Sequence, residues 1–357
     1  MKNLKINIIF NFKEGVAGGG YQFLKALKSS IIKKGLYETN PLKANCFIIN
    51  SHHNIERILS IKLKKQDNIF IHRIDGPTYL TKRKQPKLDF KIYEINRYLA
   101  DGTIFQSNWS ERENCKYGFK KTSFTKVIYN APDNEIFFPK KNKKIKDWKT
   151  EKCNLVATSW STNMNKGFNL YKFLDNNLNF KEFSMTFIGR SPIPFKNIKH
   201  IKPVNPKKLA NYLRKRDIYI SGAINEACSN SLLEALHCGL PCVVIYNASN
   251  PELVKNGGEL FNNFRECIDK IKLIRDNYEN YKNKITNQNL DEISENYLDF
   301  IKSIYNLKIS RKYKPKKLRT FEYYKILLKN YIFQISFIKI IIHELFRIIS
   351  TLIKKIS

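Results

Sequence analysis

Ile6, Ile8 and Phe10 alternate with polar residues at the start of the chain, the period of a half-buried strand. A glycine loop from Gly15 to Gly20 follows. From Tyr21 to Lys34 the apolar positions Phe23, Leu24, Leu27 and Ile31 take up helical spacing. Short apolar runs at Cys46–Ile49, Ile69–Ile71, Thr103–Gln106 and Lys126–Tyr129 predict further strands, with helical stretches between them. Alternation of this kind builds a doubly wound parallel sheet.

A lysine-rich stretch, Lys140 to Lys152, reads as an interdomain linker, although its charge alone suits a solvated face equally well. A second series then begins. Leu155–Thr158, Ser184–Ile188, Asp217–Ser221 and Pro241–Ile245 are predicted strands. Phe168–Leu174, Pro206–Lys215, Ser231–Cys238 and roughly Phe264–Ile285 are predicted helices, and Asp291–Tyr305 closes the unit. No solenoid period is visible. The pattern predicts two Rossmann-like domains, 1–145 and 146–290, facing a central cleft. A terminal helix over 291–309 returns toward the first domain, and 310–357 form a tail. Sheets of this type bind ligands at the carboxyl ends of their strands.

The tail has a different pattern. Arg311, Lys312, Lys314, Lys316, Lys317 and Arg319 cluster with no acid among them, and a long apolar segment, Tyr323 to Ile353, follows. Lys339, His343, Glu344 and Arg347 interrupt it too often for a transmembrane span. Ser336, Lys339, His343, Arg347, Ser350 and Lys354 recur every three or four residues, making one polar stripe on an otherwise apolar helix. That amphipathic pattern suits a helix lying in the plane of an anionic membrane through 311–357. A helix packed on the protein's own body or on a partner chain has the same pattern.

Composition narrows the partners. Among 357 residues, 64 Lys and Arg against 31 Asp and Glu give a formal net charge of +33, which favours anionic partners: nucleic acid, membrane or phosphorylated substrates. Ile, Lys and Asn are abundant together, which an AT-rich coding sequence also produces. The seven cysteines form no C-x-x-C pair and lack zinc spacing, so they read as reduced, mostly buried thiols. Met1–Phe10 reads as a strand rather than a signal peptide.

The richest chemistry lies between Asn225 and Pro241. Glu226 and Glu234 stand eight positions apart around a loop that becomes a helix. Ser229, Asn230 and Ser231 are N-cap types, Leu232, Leu233 and Leu236 supply an apolar face, and Gly239 and Pro241 end the helix. One carboxylate then precedes the helix and one lies about a turn inside it, with free N–H groups at a positive helix end between them. That arrangement suits a nucleotide-sugar, with hydroxyls at both ends and a diphosphate in the middle. A buried helix flanked by solvated acids is the plainer alternative.

The order of motifs resembles a family-4 glycosyltransferase, a retaining class with the GT-B fold, over roughly Ile6 to Tyr305. Glu226 and Glu234, followed by Ala235 and Gly239-Leu240-Pro241, match its Glu-x7-Glu motif. Gly18-Gly19-Gly20 with the helix after it matches the N-terminal glycine loop. Val127 to Asp133, Asn163 to Gly167 and Asn250-Pro251-Glu252-Leu253-Val254 resemble three further family segments. The resemblance implies that Glu226 binds hydroxyls of the transferred sugar and Glu234 the ribose. It implies a diphosphate held by N–H groups of Cys228, Ser229, Asn230 and Ser231, with Gly18 and Gly19 across the cleft. Lys166 would neutralise the leaving phosphate without a metal. Many members carry an Arg six positions before this Lys; here that position is Trp160. Arg190 could supply the second charge or make a surface ion pair. His72, at the end of a predicted strand, matches a family His near the reacting sugar. Arg73, Asp75 and Ser107 are candidates for the acceptor side.

Three rivals compete. A glycoside hydrolase would need both carboxylates across one sugar, roughly 5–9 Å apart. A nucleic-acid binder would need a basic groove with aromatic platforms or a known module, and neither is evident. A basic membrane-binding scaffold could keep a non-catalytic GT-B-like fold. The expectation is therefore a retaining, metal-independent glycosyltransferase with no cofactor. It would be cytoplasmic, at the inner face of the cell membrane, moving a sugar from a nucleotide-sugar, UDP-linked by family frequency, to a glycan or lipid-linked acceptor.

Overall fold

A computed structural model describes residues 4–12, 19–81, 86–140 and 146–332. Gly18 and the predicted polar stripe from Ser336 to Lys354 lie outside the described residues.

The first lobe is a parallel sheet of β1 (Ile6–Ile9), β2 (Cys46–Asn50), β3 (Ile69–Ile74), β4 (Gly102–Phe105) and β5 (Thr125–Val127), in that spatial order. A one-residue bridge from Tyr37 to Ile6 extends it on the far side of β1. The chain therefore steps outward from β1 to Tyr37, then crosses back to β2. Winding reverses at β1, so the carboxyl end of β1 is a topological switch point. The Gly19–Lys33 helix covers one face with Phe23, Leu24, Leu27 and Ile31 buried, and the Ile55–Lys64 helix covers the other. Right-handed crossovers in opposite directions place them so.

The second lobe contains β6 (Cys153–Ser159), β7 (Phe183–Gly189), β8 (Lys199–Ile201), β9 (Ile218–Ser221), β10 (Cys242–Ile245) and β11 (Gly258–Phe261). All are parallel, in the order β11-β10-β9-β6-β7-β8, the Rossmann order with its switch point between β6 and β9. The two strands without a sequence forecast, β8 and β11, are its outer strands, where half-exposed residues weaken the apolar signal. The helix forecast over Phe264–Ile285 divides into Phe264–Asp276 and Tyr278–Asn283, with Asn277 capping both.

The Leu290–Ile309 helix, closed at its start by an Asn289–Glu292 capping box, packs Ile293, Tyr297, Ile301 and Ile304 into the first lobe's core. The described part of the tail packs on the first lobe, the alternative of a segment lying on the protein's own body. Asp101 accepts from the Tyr313 hydroxyl (2.7 Å) and the Lys316 amide (2.8 Å), and Leu318 and Ile326 join the first lobe's other core. The seven cysteines are free thiols, all buried except the half-buried Cys115. Among the described residues no helix is long and apolar enough to cross a membrane.

Candidate functional site

Beyond β9 the chain turns through Asn225, whose φ of 58° is one that Asn tolerates better than most residues. The Asn225 amide donates to Asn247 Oδ1 (2.7 Å), and its side-chain amide reaches Leu80 O of the first lobe (3.1 Å). Glu226 follows, its carbonyl accepting from the amide (3.3 Å) and hydroxyl (2.9 Å) of Ser249. Ser229 then caps the Asn230–His237 helix by accepting from the Leu232 amide. Glu234 is only 5% exposed, and burial pushes its carboxyl up to about 8. Near neutral pH it is therefore largely an uncharged acid.

Gly19 opens the first lobe's long helix directly against Asn230. A Cβ at Gly19 would fall 2.5 Å from the Asn230 Cβ, so only glycine lets the two helix N-termini meet this closely. Their free N–H groups converge on a cavity of about 300 Å³. Gly19, Trp160, Lys166, Arg190, Glu226, Ser229, Asn230, Ser231 and Glu234 line it. Gly167 sets Lys166 there. Its φ is 91°, and a Cβ would come within 2.7 Å of the Gly222 backbone. Lys166 Nζ lies 2.6 Å from Glu226 Oε1. Arg190 follows the end of β7 and forms no ion pair with any described residue. A second cavity of about 370 Å³ shares Gly19, Asn230 and Glu234 with the first and extends past Gln22, Phe137 and Lys207. Glu234 therefore stands between the two. Among the described residues, no group of three or more His, Cys, Asp or Glu is placed to hold a metal ion.

The first lobe's expected residues sit elsewhere. β3 runs to Ile74, three residues past the forecast, because β2 and β4 pair with it on both sides. His72 and Arg73 are consequently inside the sheet. His72 is buried and does not line the cavity. Its Nε2–H donates to Ser51 O (2.9 Å), so its Nδ1 accepts from the Asn96 amide (3.2 Å). Desolvation holds it down at about 4, as a neutral ring. The contacts it makes in this structure are structural. Arg73, also buried, donates to Asn50 (2.6 Å) and Asn130 (2.7 Å), with Asp75 at 3.3 Å and its guanidinium over the Phe23 ring. It is a buttress under the cleft, not an open acceptor contact. Ser107 is buried and caps the Asn108–Lys116 helix. Of this set, Asp75 alone keeps a substantially exposed side chain. Cys228 is buried, its sulfur accepting from the Asn130 amide (3.4 Å), and burial pushes the thiol up to about 12.

Two groups join the lobes, a role the sequence reading did not give them although both lie in segments it marked. Asn130 carries the Arg73 network across the cleft by donating to Asn230 Oδ1 (3.2 Å) and to Gln106 (3.1 Å). Glu252 reaches from the second lobe to the first, accepting from the amides of Asn108 (2.9 Å) and Trp109 (2.7 Å) and from the Tyr129 hydroxyl (2.7 Å). A carboxylate from one lobe thus caps a helix of the other. The Asn250–Val254 stretch signalled a motif, but nothing local discloses a partner 144 positions away.

Two Rossmann-like lobes whose switch points open on one cleft define the GT-B fold. Residues 195–290 match the family model "Glycosyl transferases group 1". The uncharacterized protein 356 of Sulfolobus islandicus rod-shaped virus 1 is 23% identical over 240 residues. That match takes in 56% of this chain and 66% of the viral protein, just under two thirds of its length. Among solved structures, HepE of Anabaena in complex with UDP-glucose superposes with a TM-score of 0.63 at 11% identity, covering 85% of this chain and 99% of that one. Sucrose-phosphate synthase of Thermosynechococcus elongatus gives 0.59 at 11% identity over 86% and 96% of the two chains. WaaG, a glycosyltransferase involved in lipopolysaccharide biosynthesis, gives 0.56 at 12% identity over 84% and 99%.

Proposed function

We propose that this protein is a retaining, family-4-type glycosyltransferase moving a sugar from a nucleotide-sugar, UDP-linked in the first instance, to a glycan or lipid-linked acceptor. The observation that carries the reading is the meeting of two helix N-termini in a cavity that also holds Lys166, Arg190, Glu226 and Glu234. The diphosphate rests on the N–H groups around Ser229, Asn230 and Ser231, faced by the Gly19 helix. Glu234 accepts the ribose hydroxyls. The bond from the anomeric carbon to the phosphate oxygen breaks, and Lys166 and Arg190 meet the charge that develops on that oxygen. With that cationic support in place, the step calls for no metal. Glu226 exchanges its partner Lys166 for hydroxyls of the sugar. The acceptor hydroxyl attacks from the face the phosphate leaves, and its proton passes to the departing phosphate. Asp75 is the acceptor-side group with an exposed side chain. HepE, bound to UDP-glucose, supports a UDP-sugar donor by analogy of fold.

We further propose that the protein works in the cytoplasm at the inner face of the cell membrane, held by the basic region 311–357, and that its excess positive charge serves lipid rather than nucleic acid. Nucleotide release from a panel of UDP-, GDP- and ADP-sugars tests the chemistry. The expected result is release from one of them, abolished by Glu226→Ala and strongly reduced, through weakened donor binding, by Glu234→Ala. Full activity in both variants, or no turnover of any donor, overturns the assignment.

A further inference from the structure

The helix over 320–332 shows its apolar side to the outside. Glu322, Ile326 and Asn330 face the protein and are buried. Phe321 (75% exposed), Tyr324 (62%), Leu328 (61%), Tyr331 and Ile332 face outward. At 100° per residue these five fall within an arc of about 100°, opposite the buried side. A surface helix ordinarily shows the reverse pattern, and a contiguous exposed apolar stripe marks an interaction site.

Beside this helix runs a groove of about 800 Å³, walled by the Pro86–Leu99 helix and residues 118–122. Eight Lys and Arg side chains line it against one acid, Glu94, which already pairs with Lys329 (2.8 Å) and Lys325 (3.5 Å). Phe90 and Ile332 add exposed apolar surface. Lys91, in its wall, donates to Asn330; burial holds it down at about 8 against the attraction of Glu56. The groove is thus strongly cationic, open and bordered by aromatic surface. The strap that presents it is fixed, with Leu318 and Gln66 exchanging hydrogen bonds of 2.8 and 2.9 Å.

We infer that this face is the membrane footprint: phosphate headgroups of an anionic leaflet occupy the lysine-lined groove, and the Phe321–Ile332 stripe enters the acyl boundary. The inference rests on the proposal that the protein works at a membrane, and it moves the principal contact onto the first lobe itself. Charge complementarity selects an anionic bilayer. Aromatic and leucine side chains flanked by lysine suit the headgroup–acyl boundary, where apolar and cationic groups are both accommodated.

The test is sedimentation of the full chain with vesicles of phosphatidylglycerol in phosphatidylcholine, and with phosphatidylcholine alone. The wild type is expected to bind the anionic vesicles only, and more weakly as salt rises. Each cation near such a surface contributes about fivefold, so Lys87→Glu with Lys120→Glu is expected to weaken binding at least about 25-fold. Phe321→Ser with Leu328→Ser is expected to weaken it as well, while donor turnover in solution is retained in both variants. Wild-type binding that neither pair of substitutions alters overturns the footprint but leaves the membrane proposal standing. A wild type that does not bind overturns both. If Phe321→Ser with Leu328→Ser leaves vesicle binding intact but splits a dimer into monomers, the stripe is a subunit interface and the footprint is wrong.

Discussion

In the second lobe, the charged side chains that line the cleft come after the strand ends, Lys166 beyond β6, Arg190 after β7 and Glu226 after β9, while Thr158 and Ser159 reach it only from the last two positions of β6. In the first lobe, the polar side chains marked out on β3 come before its end, and the sheet absorbs them. His72 and Arg73 are as polar as Lys166 and Glu226, yet they hold structure together while the latter pair lines the cavity. Position relative to the last hydrogen-bonded strand residue decides the role, because a strand paired on both sides buries whatever it carries. Polar residues caught there persist by finding partners, as His72 does with Ser51 and Asn96, and Arg73 with Asn50 and Asn130.

Substitutions at four positions would break or sharpen this contrast. The largest effect is expected from Glu226→Gln, which keeps the shape but gives up the charge: turnover falls about 100-fold or more, read as nucleotide release. A smaller loss would make the cavity's carboxylate no more important than the buried groups of β3. Next is Glu234→Ala, expected to weaken nucleotide binding by roughly 10–100-fold by calorimetry, the range of a hydrogen bond to a charged group. Its pH dependence has a definite sign. Ribose hydroxyls donate to the carboxylate, so binding releases a proton and tightens as pH rises through about 8. Stability runs the other way. The raised folded value makes Glu234's contribution complete below the ordinary carboxyl range near 4.5 and lost as pH rises through about 8. Glu234→Gln removes that loss, so the variant should be more stable than wild type at pH 9 while binding nucleotide less well.

Glu252→Gln tests the joint between the lobes. Removing the charge at the Asn108–Lys116 helix should cost about 1–2 kcal/mol of interlobe interaction. The expected readouts are a larger radius of gyration by small-angle scattering and a several-fold loss of turnover, with a nucleotide affinity near that of wild type. An unchanged scattering profile would show that the other contacts between the lobes, Arg73–Asn130–Asn230 and Asn225–Leu80 among them, suffice without the Glu252 charge. The smallest effect on activity is expected from His72→Ala: turnover within a few-fold of wild type but about 1–3 kcal/mol less stability. His72's folded value of about 4, below its ordinary 6.5, means its contribution is present above pH 6.5 and lost as pH falls through about 4. An activity loss as large as that of Glu226→Gln would restore His72 to the chemistry and erase the contrast between the lobes.

Local signals carried the reading wherever the deciding contacts are local. N-cap residues and leucine spacing located the Asn230–His237 helix, and the family resemblance singled out the Asn163–Gly167 segment, whose turn at Gly167 needs glycine. The β3 boundary was missed because it depends on β2 and β4, which pair with it from more than twenty positions away in the chain. The choice between the alternatives for the tail was not legible for the same reason. The partners the tail finds, Asp101 for Tyr313 and Lys316 and Gln66 for Leu318, are remote in sequence, and composition showed only that the segment is basic.

By itself, then, the sequence determined the two α/β lobes, the helix start that lies between two carboxylates, and the excess of positive charge. These follow from periodicity, capping and composition, which act over a few residues or over the whole chain at once. The tertiary structure decided which polar residues face the cleft, which carboxylate joins the lobes, and which side of the helix over 320–332 faces outward among the described residues. Burial and pairing are properties of residues distant in the chain, and they become definite only when the sheets close and the lobes meet.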